Sequence, residues 1–159
     1  MAAGTTKKDE PGRKLIASNR RAFRDYHVME RIEAGLVLQG TEVKSLREGK
    51  ASLVDSYASV EGEQAFLHNL HIPPYECGNR FNHEPTRTRT LLLHKREIRR
   101  VLGRSTEKGL TVIPLSLYFL RGKVKVELAI ARGKRLYDKR DAMAQESARR
   151  DIQREMRGK

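Results

Sequence analysis

Between Pro85 and Arg100 the chain reads PTRTRTLLLHKREIRR. Arg87 and Arg89 alternate with Thr86, Thr88 and Thr90, so an extended backbone turns both guanidinium groups to one side. Three leucines follow, and then Lys95, Arg96, Arg99 and Arg100 crowd a short run of helical character. Guanidinium forks on an apolar anchor suit phosphate oxygens, which they grip in pairs. The block alone says that phosphates are held, not which ones.

Glu33 is the second position with chemistry of its own. It falls on the polar side of an alternating segment in a strongly basic chain. A carboxylate accepts hydrogen bonds from base or ribose donors, which arginine cannot do. Taken by itself, it reads first as a surface carboxylate that balances charge.

Other chemistries find little support. The chain has no GxxxxGK[ST] loop, no GxSxG elbow and no HExxH pair. His68, His71, Cys77 and His83 resemble a ligand set, but residues 68 and 71 face opposite sides of a strand, and zinc sites use tighter paired spacings. Asp55 and Glu127 would make a carboxylate pair only if the fold joined them, which leaves a nuclease as the enzymatic alternative. No catalytic residue, metal or cofactor is expected.

Composition sets the bounds. A chain of 159 residues with 38% hydrophobic content supports one modest core. A formal net charge of +13 calls for a polyanionic partner, nucleic acid first and an anionic membrane surface second. Cys77 is the only cysteine, so no disulfide framework exists and a reducing, cytoplasmic compartment fits. Met1 to Lys14 is polar throughout, unlike a secretion signal. The longest apolar run, near Leu110 to Leu120, contains Pro114 and Ser116 and is too short to span a bilayer.

The elements that position these residues are mostly strands. Residues 1–14 read as a disordered arm, 15–131 as the folded body, and 132–159 as a basic tail. From Tyr26, the residues Val28, Ile32, Ala34, Leu36 and Leu38 share a face that Glu30 interrupts. Thr41 is expected to cap a short helix from Glu42 to Glu48. Strands are expected over Ser52 to Val60 and Ala65 to Ile72. A helix follows over His94 to Leu102, with Ile98, Val101 and Leu102 inward. A hairpin turns over Arg121-Gly122, and its second strand puts Val124, Val126, Leu128 and Ile130 inside. Such short strands with small helices point to a closed antiparallel β-barrel of the oligonucleotide-binding (OB) type. Periodicity alone leaves an SH3-like barrel open.

Three long strings carry a resemblance. EAGLVLQGTEVKSLREGKAS (Glu33 to Ser52), EPTRTRTLLLHKREI (Glu84 to Ile98) and ARGKRLYDKRD (Ala131 to Asp141) resemble, in order and spacing, the small protein B or SsrA-binding family. The likeness covers roughly Asn19 to Arg140. It implies a barrel that binds the tRNA-like domain of transfer-messenger RNA around its elbow and imitates the missing anticodon arm. It further implies delivery, with elongation factor Tu and alanyl-charged RNA, to ribosomes stalled on messages lacking a stop codon. There the RNA supplies a reading frame that tags the nascent chain. The implied partners are this RNA and the small ribosomal subunit with its ribosomal RNA, with no membrane and no enzymatic activity. The family's RNA contacts fall on Tyr26, Glu33, Leu92, His94 and Asn19, with Arg87 and Arg89 on phosphates.

The tail carries a second surface. Ala144, Ala148, Ile152 and Met156 recur every fourth residue, with Arg149, Arg150, Arg154 and Arg157 off that stripe. A helix so narrowly apolar buries little alone, so it is expected to be disordered when free and helical on ribosomal RNA. The resemblance assigns Tyr137, Asp138, Lys139 and Arg140 to the decoding centre and the rest to the empty mRNA channel, with Arg132, Lys134 and Arg135 leading in. Many relatives carry His where this chain has Tyr137, and only His becomes a cation near neutral pH. A general single-strand RNA chaperone or ribosomal protein with the same barrel is the competing reading.

Overall fold

The structure is a computed structural model that describes residues 12–77, 82–107, 109–134 and 136–157. It begins with strand β1 (Arg13–Ser18) and a short helix α1 (Arg20–Asp25), neither of which the apolar periodicity disclosed. Strand β2 (Tyr26–Leu36) leads to helix α2 (Gly40–Arg47). Its cap is Gln39 rather than Thr41, in a capping box where the Gln39 N–H donates to Glu42 at 2.8 Å. Thr41 is instead occupied with His83, 2.8 Å away.

Strands β3 (Tyr57–Glu61) and β4 (Gln64–His68) are shorter than expected, and Ser52 and His71 add one isolated bridge beyond them. Strand β5 (Arg89–Leu92) follows, then helix α3 (Lys95–Ser105). Val101 is buried from α3, but Leu102 faces solvent, contrary to the expected inward set. The hairpin of β6 (Leu110–Leu120) and β7 (Lys123–Gly133) turns where expected. Arg121 and Gly122 both take positive φ, the geometry of a tight hairpin turn that a glycine makes inexpensive. Helix α4 (Leu136–Arg157) ends the described chain.

The strands pair in the order β1-β6-β3-β4-β5-β2-β7, and β6 also pairs with β7. That extra pairing closes β6, β3, β4, β5, β2 and β7 into an antiparallel barrel and leaves β1 on its flank. The barrel interior holds the main core, including Ile32, Leu67, Leu117, Val126, Leu128 and Ile130. Each of these fully buried aliphatic side chains stabilises the fold by roughly 2 kcal/mol. A second, smaller core lies outside the barrel, where Ala22 of α1 covers Ile113, Leu115, Ala129 and Ala131. The far end of β7 is therefore covered on both faces. The arm expected over residues 1–14 shrinks at its inner end, because β1 begins at Arg13; residues 1–11 lie outside the described part.

Candidate nucleic-acid interface

Two bulges decide which residues face outward. On β2, Val28 pairs with Ala131 and Glu30 with Ile130, so Met29 is an extra residue. Opposed residues in an antiparallel pair share a face. Ala129 and Ala131 belong to the outer cluster, and Leu128 and Ile130 to the barrel interior. Hence Tyr26, Val28, Arg31, Glu33 and Gly35 lie outside, while Glu30, Ile32 and Ala34 lie inside. The assignment of Val28 to the inner face is corrected by this bulge. The same bulge unites Tyr26 and Glu33, which an ideal strand would send to opposite sides. On β6 the register shifts between Pro114 and Ser116, so Leu115 is extra and Tyr118 turns outward. Proline has no N–H to lose there.

The outer face is wired around Glu33, which is half-buried rather than fully exposed. The Tyr118 hydroxyl donates a short hydrogen bond to Glu33, reaching across β7. The Tyr118 ring is buried beneath the guanidinium of Arg13, 3.7 Å from its centroid. Arg13 also reaches Glu127 at 3.6 Å, and Arg31 reaches the same carboxylate at 3.4 Å. Ser116 donates to Glu127 at 3.3 Å. Burial, and then the carboxylate of Glu33, push the Tyr118 phenol well above its ordinary range. The phenol is therefore a standing donor.

Glu33, Leu92 and His94 meet in one open cleft of about 520 Å³, bordered by Glu97 and Lys125. Leu92 is 59% exposed and lies over Gly35, where a Cβ would approach its own Cβ to 3.1 Å. His94 is the N-cap of α3, and its backbone N–H donates to Glu97 at 3.4 Å. Its side chain projects almost wholly into solvent. Asn19 and Tyr26 sit together in a separate recess of about 110 Å³ with Arg21 and Asp25. Asn19 is tied down there, its side-chain amide donating to the Pro114 carbonyl at 3.1 Å.

Arg87 and Arg89 are corrected. They do project to one side, but that side is inward. Arg89 is fully buried, its Nε donating to Glu42 and its other nitrogens to the carbonyls of Leu70, Arg87 and Pro85. Arg87 also donates to Glu42, at 2.5 Å. Arg89 has no surface left for a phosphate. Burial acts to raise the Glu42 carboxyl, but hydrogen bonds from Arg87, the Gln39 N–H and Arg89 outweigh it and hold Glu42 below the ordinary carboxylate range. Burial lowers Arg89, against the pull of Glu42. The outward cations of the block are those of α3. Lys95, Arg96 and Arg99 are exposed, whereas Arg100 pairs with Glu30.

The remaining candidates have structural duties. Buried His83 bridges Thr41 and the Ile72 carbonyl, each at 2.8 Å. His68 contacts Ser59 at 2.6 Å and stacks on Tyr57. No group of three metal-ligating side chains forms among the described residues. Asp55 occupies a turn with positive φ, while Glu127 is held by Arg13, Arg31 and Ser116. Among the described residues, no helix is long and apolar enough to cross a membrane.

Along the tail, Arg132, Arg140, Arg149, Arg150, Ile152, Arg154 and Met156 are exposed. Lys134 donates to the Phe23 carbonyl at 3.0 Å, and Glu146 joins Arg24 to Arg150. Arg135 and the side chains of Tyr137, Asp138 and Lys139 lie outside the described residues. Sequence reasoning missed Tyr118 and Lys125. Tyr118 sits in an apolar run that reads as core, and Lys125 alternates with Val124 and Val126 and so reads only as an outward lysine.

A small antiparallel barrel with short added helices and an open polar cleft is of the oligonucleotide-binding type. Within that class the chain belongs to the SmpB family, the SsrA-binding proteins: the family model described as "SmpB protein" matches residues 16–158. The SsrA-binding protein of Acidothermus cellulolyticus is 61% identical over 145 residues, 91% of this chain and 91% of that protein. That of Desulforamulus reducens is 60% identical over 158 residues, 99% of this chain and 97% of that protein. A solved structure described as "tmRNA-SmpB: a journey to the center of the bacterial ribosome" superposes with a TM-score of 0.66 at 50% identity, covering 80% of this chain and 93% of that one.

Proposed function

We propose that this chain binds the tRNA-like domain of transfer-messenger RNA with its barrel and carries it into stalled ribosomes for trans-translation. The observation that carries the reading is the cleft that joins Glu33, Leu92 and His94 beside Lys125. A carboxylate, an exposed leucine and an imidazole in one concavity suit an unstacked base and its edges. Lys125 and the exposed Lys95, Arg96 and Arg99 of α3 suit the flanking phosphates. Tyr26, on the same outer face, is available to stack on a second base from the recess it shares with Asn19.

The tail supports a separate duty. Its exposed arginines and thin apolar stripe suit ribosomal RNA of the small subunit, in the decoding centre and the empty mRNA channel. Elongation factor Tu enters as the companion of the charged RNA. The protein's work is recognition and placement in the cytoplasm, where ribosomes operate; no bond is made or broken by it. The test is a titration at fixed salt. Tight binding to the tRNA-like domain with much weaker binding to unstructured RNA of equal length is expected. Equal affinities would instead favour a general single-strand RNA chaperone.

A further inference from the structure

Glu33 does not stand alone on its strand. Glu33 lies opposite Glu127 on β7 and Tyr118 opposite Lys125, two residues along the same outer face. Tyr118 is 1% exposed, so the RNA has no access to its ring. Its hydroxyl nevertheless reaches Glu33, one of the carboxylates that line the cleft. The ring is roofed by Arg13, whose side chain is only 6% exposed and which β1 places there by pairing with β6. A chain of contacts thus runs from β1 through a buried phenol to the RNA-facing carboxylate.

We propose that Tyr118, clamped by Arg13, is the positioning residue for Glu33: its hydroxyl holds one carboxylate oxygen so that the other is aimed into the cleft. This rests on Glu33 being an RNA contact. A free glutamate samples several rotamers and loses that freedom on binding. Fixing it beforehand spares that loss in the complex. Because the phenol keeps its proton far above neutral pH, the clamp does not titrate away in the working range. Strand β1, which lines none of the cleft, thereby becomes part of the binding site.

The experiment is a double-mutant cycle read by titration of the tRNA-like domain of transfer-messenger RNA at fixed salt. Tyr118→Phe keeps the buried ring and removes only the hydroxyl. It should weaken binding about tenfold, the usual scale for one hydrogen bond to a charged group. In a Glu33→Ala background the same change should cost nothing further. Arg13→Met, which leaves the phenol in place, should weaken binding two- to threefold by the loosened cation–π roof, and again only when Glu33 is present. It keeps the cycle usable if Tyr118→Phe folds poorly. Wild-type affinity for Tyr118→Phe beside a strong loss for Glu33→Ala would overturn the clamp and spare the Glu33 contact. Equal losses with and without Glu33 would make Tyr118 a merely structural residue and also overturn it. Unchanged binding by Glu33→Ala would remove the contact itself, and the clamp with it.

Discussion

Arg89 and Glu42 meet inside the protein, both shut off from solvent, with the guanidinium Nε donating to the carboxylate. They join β5 to the first turn of α2. Removing one partner of a buried pair strands the other charge, at a cost of about 3–5 kcal/mol. Arg89→Ala and Glu42→Ala should each lower stability by that amount in urea denaturation. Arg87→Ala should cost clearly less, because its side chain is 29% exposed and Glu42 keeps its bond from Arg89.

The same carboxylate sets an acid limit. Hydrogen bonds hold folded Glu42 below its ordinary value of 4.5, so the unfolded chain binds this proton first as pH falls. The stabilisation is fully present above the unfolded value and is lost as pH drops through the folded one. Stability measured from pH 7 to pH 3 should fall on the acid side, and Glu42→Gln should flatten that limb while lowering the plateau at neutral pH.

The arginine block separates into two classes that salt titration distinguishes. Arg89 holds no phosphate, so a folded Arg89→Lys variant should leave the salt slope of RNA binding unchanged. Lys95, Arg96 and Arg99 are exposed on α3, beside His94. Changing any one of them that contacts a phosphate to Ala should reduce the log–log slope by about one, and the triple variant should show the largest reduction.

Gly35 and Leu92 offer a contrast between stability and binding. An added methyl would come within 3.1 Å of the Leu92 Cβ, which moves only with the paired β5 backbone. Gly35→Ala should therefore cost about 1–3 kcal/mol of stability. It should still weaken binding of the tRNA-like domain severalfold, because the displaced leucine lies in the cleft. A large loss of stability with unchanged binding would mean that Leu92 serves packing alone.

Much of this was legible in the residues. The alternation of Val124, Val126, Leu128 and Ile130 marked the last strand, and Arg121-Gly122 its turn. The threonine–arginine alternation correctly put Arg87 and Arg89 on one side. What it lacked was the buried acceptor, since nothing in EVKSLRE singles Glu42 out as the carboxylate that turns inward. The bulges were equally hidden, because an extra residue appears only as broken periodicity. Glu30 interrupting an apolar face was that trace on β2, and Pro114 was its counterpart on β6. The helix α1 escaped because RRAFRD shows one turn of mostly charged residues, and only Ala22 is buried from it.

The division of labour we propose has the barrel hold transfer-messenger RNA and the tail address the ribosome. Every described side chain of α4 from Met143 to Arg157 is exposed, so the barrel's fold does not depend on them. The most direct measurement compares the full chain with one truncated before Asp138, in parallel RNA titration and a reconstituted translation reaction stalled on a message without a stop codon. Near-normal affinity for the tRNA-like domain together with loss of nascent-chain tagging is the expected result. Loss of both activities, or tagging that persists without the tail, would contradict the account.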